Sequence, residues 1–114
     1  MIASVSGAVK SLEQGALVLE VGGVGLRVAI PDSVIEGDIK VGVVVQLWTH
    51  LLVRQDAITM YGFVEKEQLS LFEMLLKAPG VGPKLALAII GGMPVEGLRT
   101  AVIQERAELL SQVP

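Results

Sequence analysis

Apolar and polar positions follow two different periods along this chain, and the change falls near residue 63. Up to that point the pattern alternates or runs short. Ile2, Val5 and Val9 are followed by Leu17-Val18-Leu19-Glu20-Val21 and, after Gly22-Gly23, by Leu26-Arg27-Val28-Ala29-Ile30. β-Branched residues at alternate positions, bounded by glycine and proline, predict strands. Val43-Val44-Val45-Gln46-Leu47-Trp48-Thr49-His50-Leu51-Leu52-Val53 is the longest candidate, and Ile58-Thr59-Met60-Tyr61 is a short last one. Pro31-Asp32-Ser33 and Gly37-Asp38 read as turns or loops. About five short strands in this span predict a small barrel, because closing a sheet removes its exposed edges. The five-stranded oligonucleotide-binding barrel is the natural candidate, although periodicity alone does not separate it from other small barrels.

Beyond Gly62-Phe63 the period becomes helical. Leu69, Phe72, Leu75 and Leu76 recur at helix spacing between Glu65, Glu67 and Glu73, a stripe read as core packing. The run Glu67 to Lys77 stops at a Pro/Gly turn, and a second run, Lys84 to Ile90, begins at once. A further helix is expected from Met93-Pro94, with Val95, Leu98, Val102 and Ile103 on one face, and a last one through Ala107, Leu109 and Leu110. The fold class expected is α+β: a barrel over 1–63 followed by an all-helical unit over 64–114.

Composition narrows the function classes. The apolar fraction is 52% against 18% charged residues, which supports a real core and a buried subunit interface. No stretch reaches the ~18 apolar residues that span a bilayer, and the start of the chain lacks the pattern of a signal peptide. Cysteine is absent, which excludes disulfide and thiol chemistry and is compatible with the cytoplasm. The one histidine, His50, cannot build a His-based metal cluster, so no metal or cofactor is expected. No activated nucleophile or carboxylate pair stands out as an enzyme site. The formal charge of −3 argues against uniform coating of DNA but not against a local basic face.

The richest string is Ala78-Pro79-Gly80-Val81-Gly82-Pro83-Lys84-Leu85-Ala86. Pro83 suits the first position of a helix, where its missing N–H costs nothing. Gly80 and Gly82 permit positive φ and leave room for a second backbone to approach. First-turn amides carry no intrahelical partner and a partial positive charge, so with Lys84 they could hold a phosphate. This pattern looks like a helix-hairpin-helix grip on a nucleic-acid backbone, through Gly80, Val81, Gly82 and Lys84. On the string alone, a plain tight connection between two helices stands level with it. A triphosphate loop does not fit, because the Gly-x-x-x-x-Gly-Lys-Ser/Thr spacing is missing. Met74-Leu75-Leu76-Lys77-Ala78-Pro79 is echoed by Leu109-Leu110-Ser111-Gln112-Val113-Pro114, which suggests a tandem element cut just before a second hairpin.

Read in order, the barrel pattern, Thr49 to Ala57, Tyr61-Gly62-Phe63 and Gly80 to Ile89 closely resemble the RuvA family, over essentially the whole chain. The resemblance implies a Holliday-junction-binding subunit of the bacterial branch-migration machine. Its parts would be an oligonucleotide-binding barrel, a tandem helix-hairpin-helix domain and a mobile third domain, absent here, that contacts the RuvB motor. It implies homotetramers, or pairs of tetramers, holding an open four-way junction, with ATP hydrolysis left to RuvB and RuvC resolvase as a further partner. It also implies an acidic pin after the long strand, matched by Arg54-Gln55-Asp56. Here Gln55 stands where the family carries a glutamate, which halves the pin's acidity; Asp56 taken alone also reads as a turn residue. Two other readings compete: a single-strand-binding module that stacks bases on the barrel, and a pure assembly module. The first is weakened because Trp48, Tyr61, Phe63 and Phe72 are the only aromatic side chains apart from His50.

Overall fold

Alternation in the first half builds a sheet that curls until its edges meet. In a computed structural model, residues 1–93 except 36 and 38 are described, together with 97, 100, 103 and 104. The strands are β1 (Ser4–Glu13), β2 (Ala16–Val21), β3 (Val24–Ala29), β4 (Val44–Val53) and β5 (Ile58–Phe63). They close in the order β1-β2-β3-β5-β4, with β4 returning to β1. Every pairing is antiparallel except β3 with β5, which run parallel through Val28↔Met60 and Ala29↔Tyr61. This is the strand order of the oligonucleotide-binding barrel. A register shift between Val9 and Ser11 lets the long β1 serve both β2 and β4.

Inward positions of these strands fill the barrel. Val5, Val9, Leu17, Leu19, Val28, Ile30, Leu47 and Met60 form one buried cluster. Two glycines are dictated by the closeness of strands. A Cβ on Gly7 would run into the carbonyl of Glu20 on the neighbouring strand. One on Gly62 would lie 2.5 Å from Val28 Cγ1 and 3.1 Å from Leu47 Cδ1, both fully buried. Gly62→Ala is therefore expected to destabilise the protein by about 1–3 kcal/mol through overpacking. Urea melting checks this; an unchanged midpoint would mean that the barrel has slack at this point.

Three helices complete the described part: α1 (Asp32–Ile35), α2 (Lys66–Leu76) and α3 (Pro83–Gly91). The turn read at Pro31-Asp32-Ser33 is in fact the start of α1, a single helical turn too short to show a period. At the head of α2, the Glu65 amide donates to Gln68 Oε1 at 3.0 Å, which satisfies a glutamine that is only 5% exposed. Pro83 is the first residue of α3, as its fixed φ predicts. Phe63, Phe72, Ala86 and Ile90 form a second buried cluster, with Tyr61, Leu69, Leu75, Leu76 and Val81 packed around it.

The two clusters explain why β4 reads as an almost unbroken apolar run. Leu47, Thr49, Leu51 and their β5 partners Gly62 and Met60 sit on the barrel-core side of the ribbon. Trp48, His50, Tyr61 and Phe63 lie on the side facing α2. A strand buried on both faces loses its alternation. Thr49, a polar residue on the inner face, donates from Oγ1 to the carbonyl of Ile2 at 2.6 Å.

The helices expected after Met93 fall largely outside the described residues, as do Val95, Leu98, Val102, Ala107, Leu109, Leu110 and the echo through Pro114. Residues 97, 100, 103 and 104 are helical. Ile103, placed on an apolar face by its spacing, is 65% exposed rather than packed. Among the described residues, no helix is long and apolar enough to cross a membrane.

Candidate nucleic-acid interface

The turn between α2 and α3 is built by backbone demands. Lys77 caps α2 in a right-handed helical conformation, its amide reaching the carbonyl of Met74 at 3.1 Å. The Ala78 amide follows with a bond of 3.0 Å to Leu75. Gly80 takes φ +77, where a side chain would be strained, and reverses the chain. Gly82 differs from the sequence expectation: its φ is −94 and ψ 176, an extended conformation open to any residue. A Cβ there would meet nothing within 4 Å, so the chain itself does not demand a glycine at this position. The first intrahelical bond of α3 runs from the Ala86 amide to the Gly82 carbonyl, at 3.0 Å. The amides of Lys84 and Leu85 precede it in the first turn, where no intrahelical acceptor is available.

Gly80, Gly82 and Lys84 are exposed. Val81 is not equivalent to them. Its side chain packs into the second core, and its amide donates to the Ala78 carbonyl at 3.2 Å, inside the turn. It anchors the loop, and its N–H is already used. Lys77, which the motif did not single out, is exposed on the other limb of the turn and adds a second cation there. Seen from sequence, it is only the last polar residue of a helix; its place opposite Lys84 depends on the reversal at Gly80. One wall of the turn is acidic. Lys84 lines a cleft of about 280 Å³ with Gly15, Ile30, Pro31, Asp32 and Leu87, so the Asp32 carboxylate shares its surroundings.

The second candidate feature is the β4–β5 ribbon. The last contacts of β1 with β4 are Ser4↔Trp48 and the Thr49 amide on the Ala3 carbonyl, at 2.9 Å. Beyond them β5 alone pairs with β4, through Leu52↔Thr59 and Val53↔Ile58. At about 3.3 Å per residue, Val53 lies roughly 13 Å along the strand beyond Thr49. The Arg54 amide bonds the Ala57 carbonyl at 2.8 Å, leaving Gln55 and Asp56 at the tip. All residues from 53 to 58 are exposed. Gln55 and Asp56 thus lie at the end of a two-stranded arm.

A third region is a seam rather than a site. His50 Nδ1 lies 2.9 Å from Glu73 Oε2, and the imidazole meets Phe72 edge-on at 5.6 Å. Lys66 Nζ sits 5.2 Å from the centre of the Trp48 ring. These pairs fasten α2 to β4 beside a cleft of about 450 Å³. On the far side of the barrel, Arg27 makes two hydrogen bonds to the Glu13 carboxylate, at 2.8 and 3.1 Å. The guanidinium holds that carboxyl below its ordinary range, but both groups face water. Among the described residues, no group of three His, Asp or Glu side chains is arranged to hold a metal ion.

Residues 1–62 match the family model described as the RuvA N terminal domain. The whole chain aligns at 43% identity with a protein of Herpetosiphon aurantiacus, covering 58% of that protein. It aligns at 44% with one of Salinispora tropica, covering 56%, and at 42% with one of Dehalococcoides mccartyi, covering 59%. All three relatives carry the name Holliday junction branch migration complex subunit RuvA. The chain thus spans a little over half the length of these relatives. With its barrel matched by the family model and its full length aligned to such relatives, the chain belongs to the RuvA family.

Proposed function

We propose that this chain is the junction-gripping portion of a non-catalytic branch-migration subunit, with residues 1–63 as barrel and 64–114 as helix-hairpin-helix unit. Its substrate is four-way junction DNA. Its protein partners are further copies of itself in a tetramer and the RuvB motor. Gly80, Gly82 and Lys84 approach the phosphate backbone, and Val81 holds the turn in place. Such contacts position the protein without reading bases. Gln55 and Asp56, at the end of the arm, sit at the crossover.

The observation that carries this reading is the pairing of a projecting two-stranded arm with an exposed Gly80–Lys84 turn, on a barrel that belongs to the RuvA family. A specific observation also disfavours the single-strand-binding reading. Phe63 and Phe72 are fully buried and offer no ring face to a base, and Tyr61 is half-buried and packs against Phe72 at 5.0 Å. Trp48 is half-buried beside Lys66.

The direct test is a titration of the chain against a fixed four-way junction and a duplex of equal length, by mobility shift, with light scattering to count subunits. A tetramer that prefers the junction is the expected outcome. Oligomers indifferent to all DNA would leave only an assembly module, and tight binding to single strands in preference to junctions would restore the stacking reading.

A further inference from the structure

Arg27 is the only cation on β2 or β3, and it stands on the outer face of the barrel. Side chains at alternate positions share that face: Ala16 and Val18 on β2, Gly25 and Ala29 on β3. These neighbours are small, and the Arg27 side chain keeps 68% of its surface exposed. Glu13, across from Ala16 on β1, reaches Arg27 diagonally over β2.

Glu13 holds the guanidinium from one side only. Nε and Nη2 donate to its two carboxylate oxygens at 2.8 and 3.1 Å, a side-on pairing. A guanidinium carries five N–H donors in a planar fork. Nη1 makes no hydrogen bond among the described residues, and with the second N–H of Nη2 it forms a forked edge turned away from Glu13. Such an edge matches a phosphate, and the ion pair has already fixed its orientation.

Position ties this edge to the Gly80–Lys84 turn. The Ile30 amide donates to the Gly15 carbonyl at 3.0 Å, which closes the β1–β2 turn against the end of β3. Gly15 and Ile30 line the same cleft as Lys84. Arg27 stands three residues back from Ile30, about 10 Å along the strand. One DNA strand covers that length with about three phosphates, at about 3.4 Å of axis each.

We propose that Arg27 is a second phosphate contact for the DNA arm held by the Gly80–Lys84 turn, with Glu13 orienting its guanidinium. The inference rests on the junction-binding reading above. Glu13 has the wrong sign of charge for this ligand, and distance decides which member of the pair wins. A phosphate on the forked edge lies about 4 Å from the guanidinium charge and roughly twice as far from the carboxylate. Coulomb energy falls as the inverse of distance, so the attraction is halved and not cancelled. Glu13 therefore weakens the contact while fixing its geometry.

The experiment titrates the full chain against a four-way junction by mobility shift, with light scattering to count subunits. Arg27→Gln should weaken binding about twofold per bound copy, or about sixteenfold for four. Glu13→Gln removes the opposing charge and keeps one acceptor for Arg27, so it should tighten binding by about twofold per copy. A pair that only fastens β1 to β3 gives no such opposition of sign. Arg27→Lys keeps the charge but loses the fork, and should bind less tightly than the wild type. A second series places a neutral methylphosphonate at one backbone position of all four arms, moved step by step along the DNA. At the contacted position the effect of Arg27→Gln should vanish, while Lys84→Gln keeps its own. The proposal is overturned if Arg27→Gln leaves affinity unchanged, if both members of the pair shift affinity in one direction, or if Arg27→Lys binds like the wild type. It is equally overturned if no methylphosphonate abolishes the effect, or if Arg27→Gln changes the number of subunits, which would make this face a contact between copies. A wild-type chain that shifts no junction at all removes the junction-binding reading and this contact with it, whereas normal binding that ignores Arg27 removes the contact alone.

Discussion

Phe72→Ala is expected to cost about 3–5 kcal/mol, the range for emptying a buried aromatic site, and to release the helices from the barrel. Phe72 is fully buried. Its ring centre lies 5.0 Å from both Tyr61 and Phe63 and 5.6 Å from His50. One side chain therefore meets three rings of the β4–β5 ribbon from the middle of α2. Tilted and edge-on aromatic pairs each add about 0.5–1.5 kcal/mol beyond the area they bury. Whole domains are stable by only ~5–15 kcal/mol, so the loss is a large share of the total.

The loss should also be uneven. The barrel keeps its own buried cluster from Val5 to Met60, which does not include Phe72. Hydrogen exchange should therefore show the amides of α2 and α3 losing protection while those of β1, β2 and β3 retain it. Urea melting would register the drop in free energy, and Phe72→Leu, which refills most of the volume, should recover most of it. A uniform loss of protection would show that barrel and helices fold as one cooperative unit. A cost under about 1 kcal/mol would show that the site collapses around the gap.

The dependence of α2 on the ribbon also shows which parts of this molecule were legible in the sequence. Strands at 17–21, 26–30, 43–53 and 58–61 could be read because Val, Leu and Ile recur there between glycines and prolines. They correspond to β2, β3, β4 and β5, within a residue or two at each end. The strand order could not be read, since the parallel contact of β3 with β5 involves two residue pairs separated by more than thirty positions. Nor could α1, whose four residues span hardly more than one helical turn. Nor does a lone histidine within a strand run announce a partner for His50. Its bond to Glu73 exists only because α2 lies across β4.

At the candidate interface the backbone was less legible than the motif. The positions of the Gly80–Lys84 turn and of Pro83 at the start of α3 were given by residue type. The division of labour within the turn was not. Gly82 is extended rather than left-handed, and Val81 is a core anchor whose amide is already engaged. Both facts follow from how the loop lies against the second cluster, which a linear string does not contain. The bare pair Val53–Ile58 was likewise hidden inside a run that looked uniformly buried.

Reversing the charge at Lys84 should have the largest effect on DNA binding. Its ammonium is exposed at the start of α3, beside first-turn amides that carry the positive end of the helix dipole. A phosphate contact of that kind is worth about 1 kcal/mol per copy in water at close range. In a tetramer gripping one junction, the loss repeats with each subunit. Four contacts at about 1 kcal/mol give about 4 kcal/mol, or roughly a thousandfold in affinity; a single bound copy would lose only about fivefold. Salt dependence supplies an independent measure of the same number. Each neutralised phosphate contributes about −0.9 to the slope of log affinity against log salt. Lys84→Gln should therefore flatten the slope by about 0.9 for one copy and about 3.6 for four, and Lys84→Glu should weaken binding further at low salt. The loss should be the same for junctions of any sequence, because a backbone contact carries no base information, and smaller on a duplex, which offers the turns fewer arms. Titrations at several salt concentrations, with subunits counted by light scattering, give both numbers. An unchanged slope would mean that the Lys84 ammonium touches no phosphate. A slope change near four units from a tetramer would place all four turns on the DNA at once, as a grip on four arms requires.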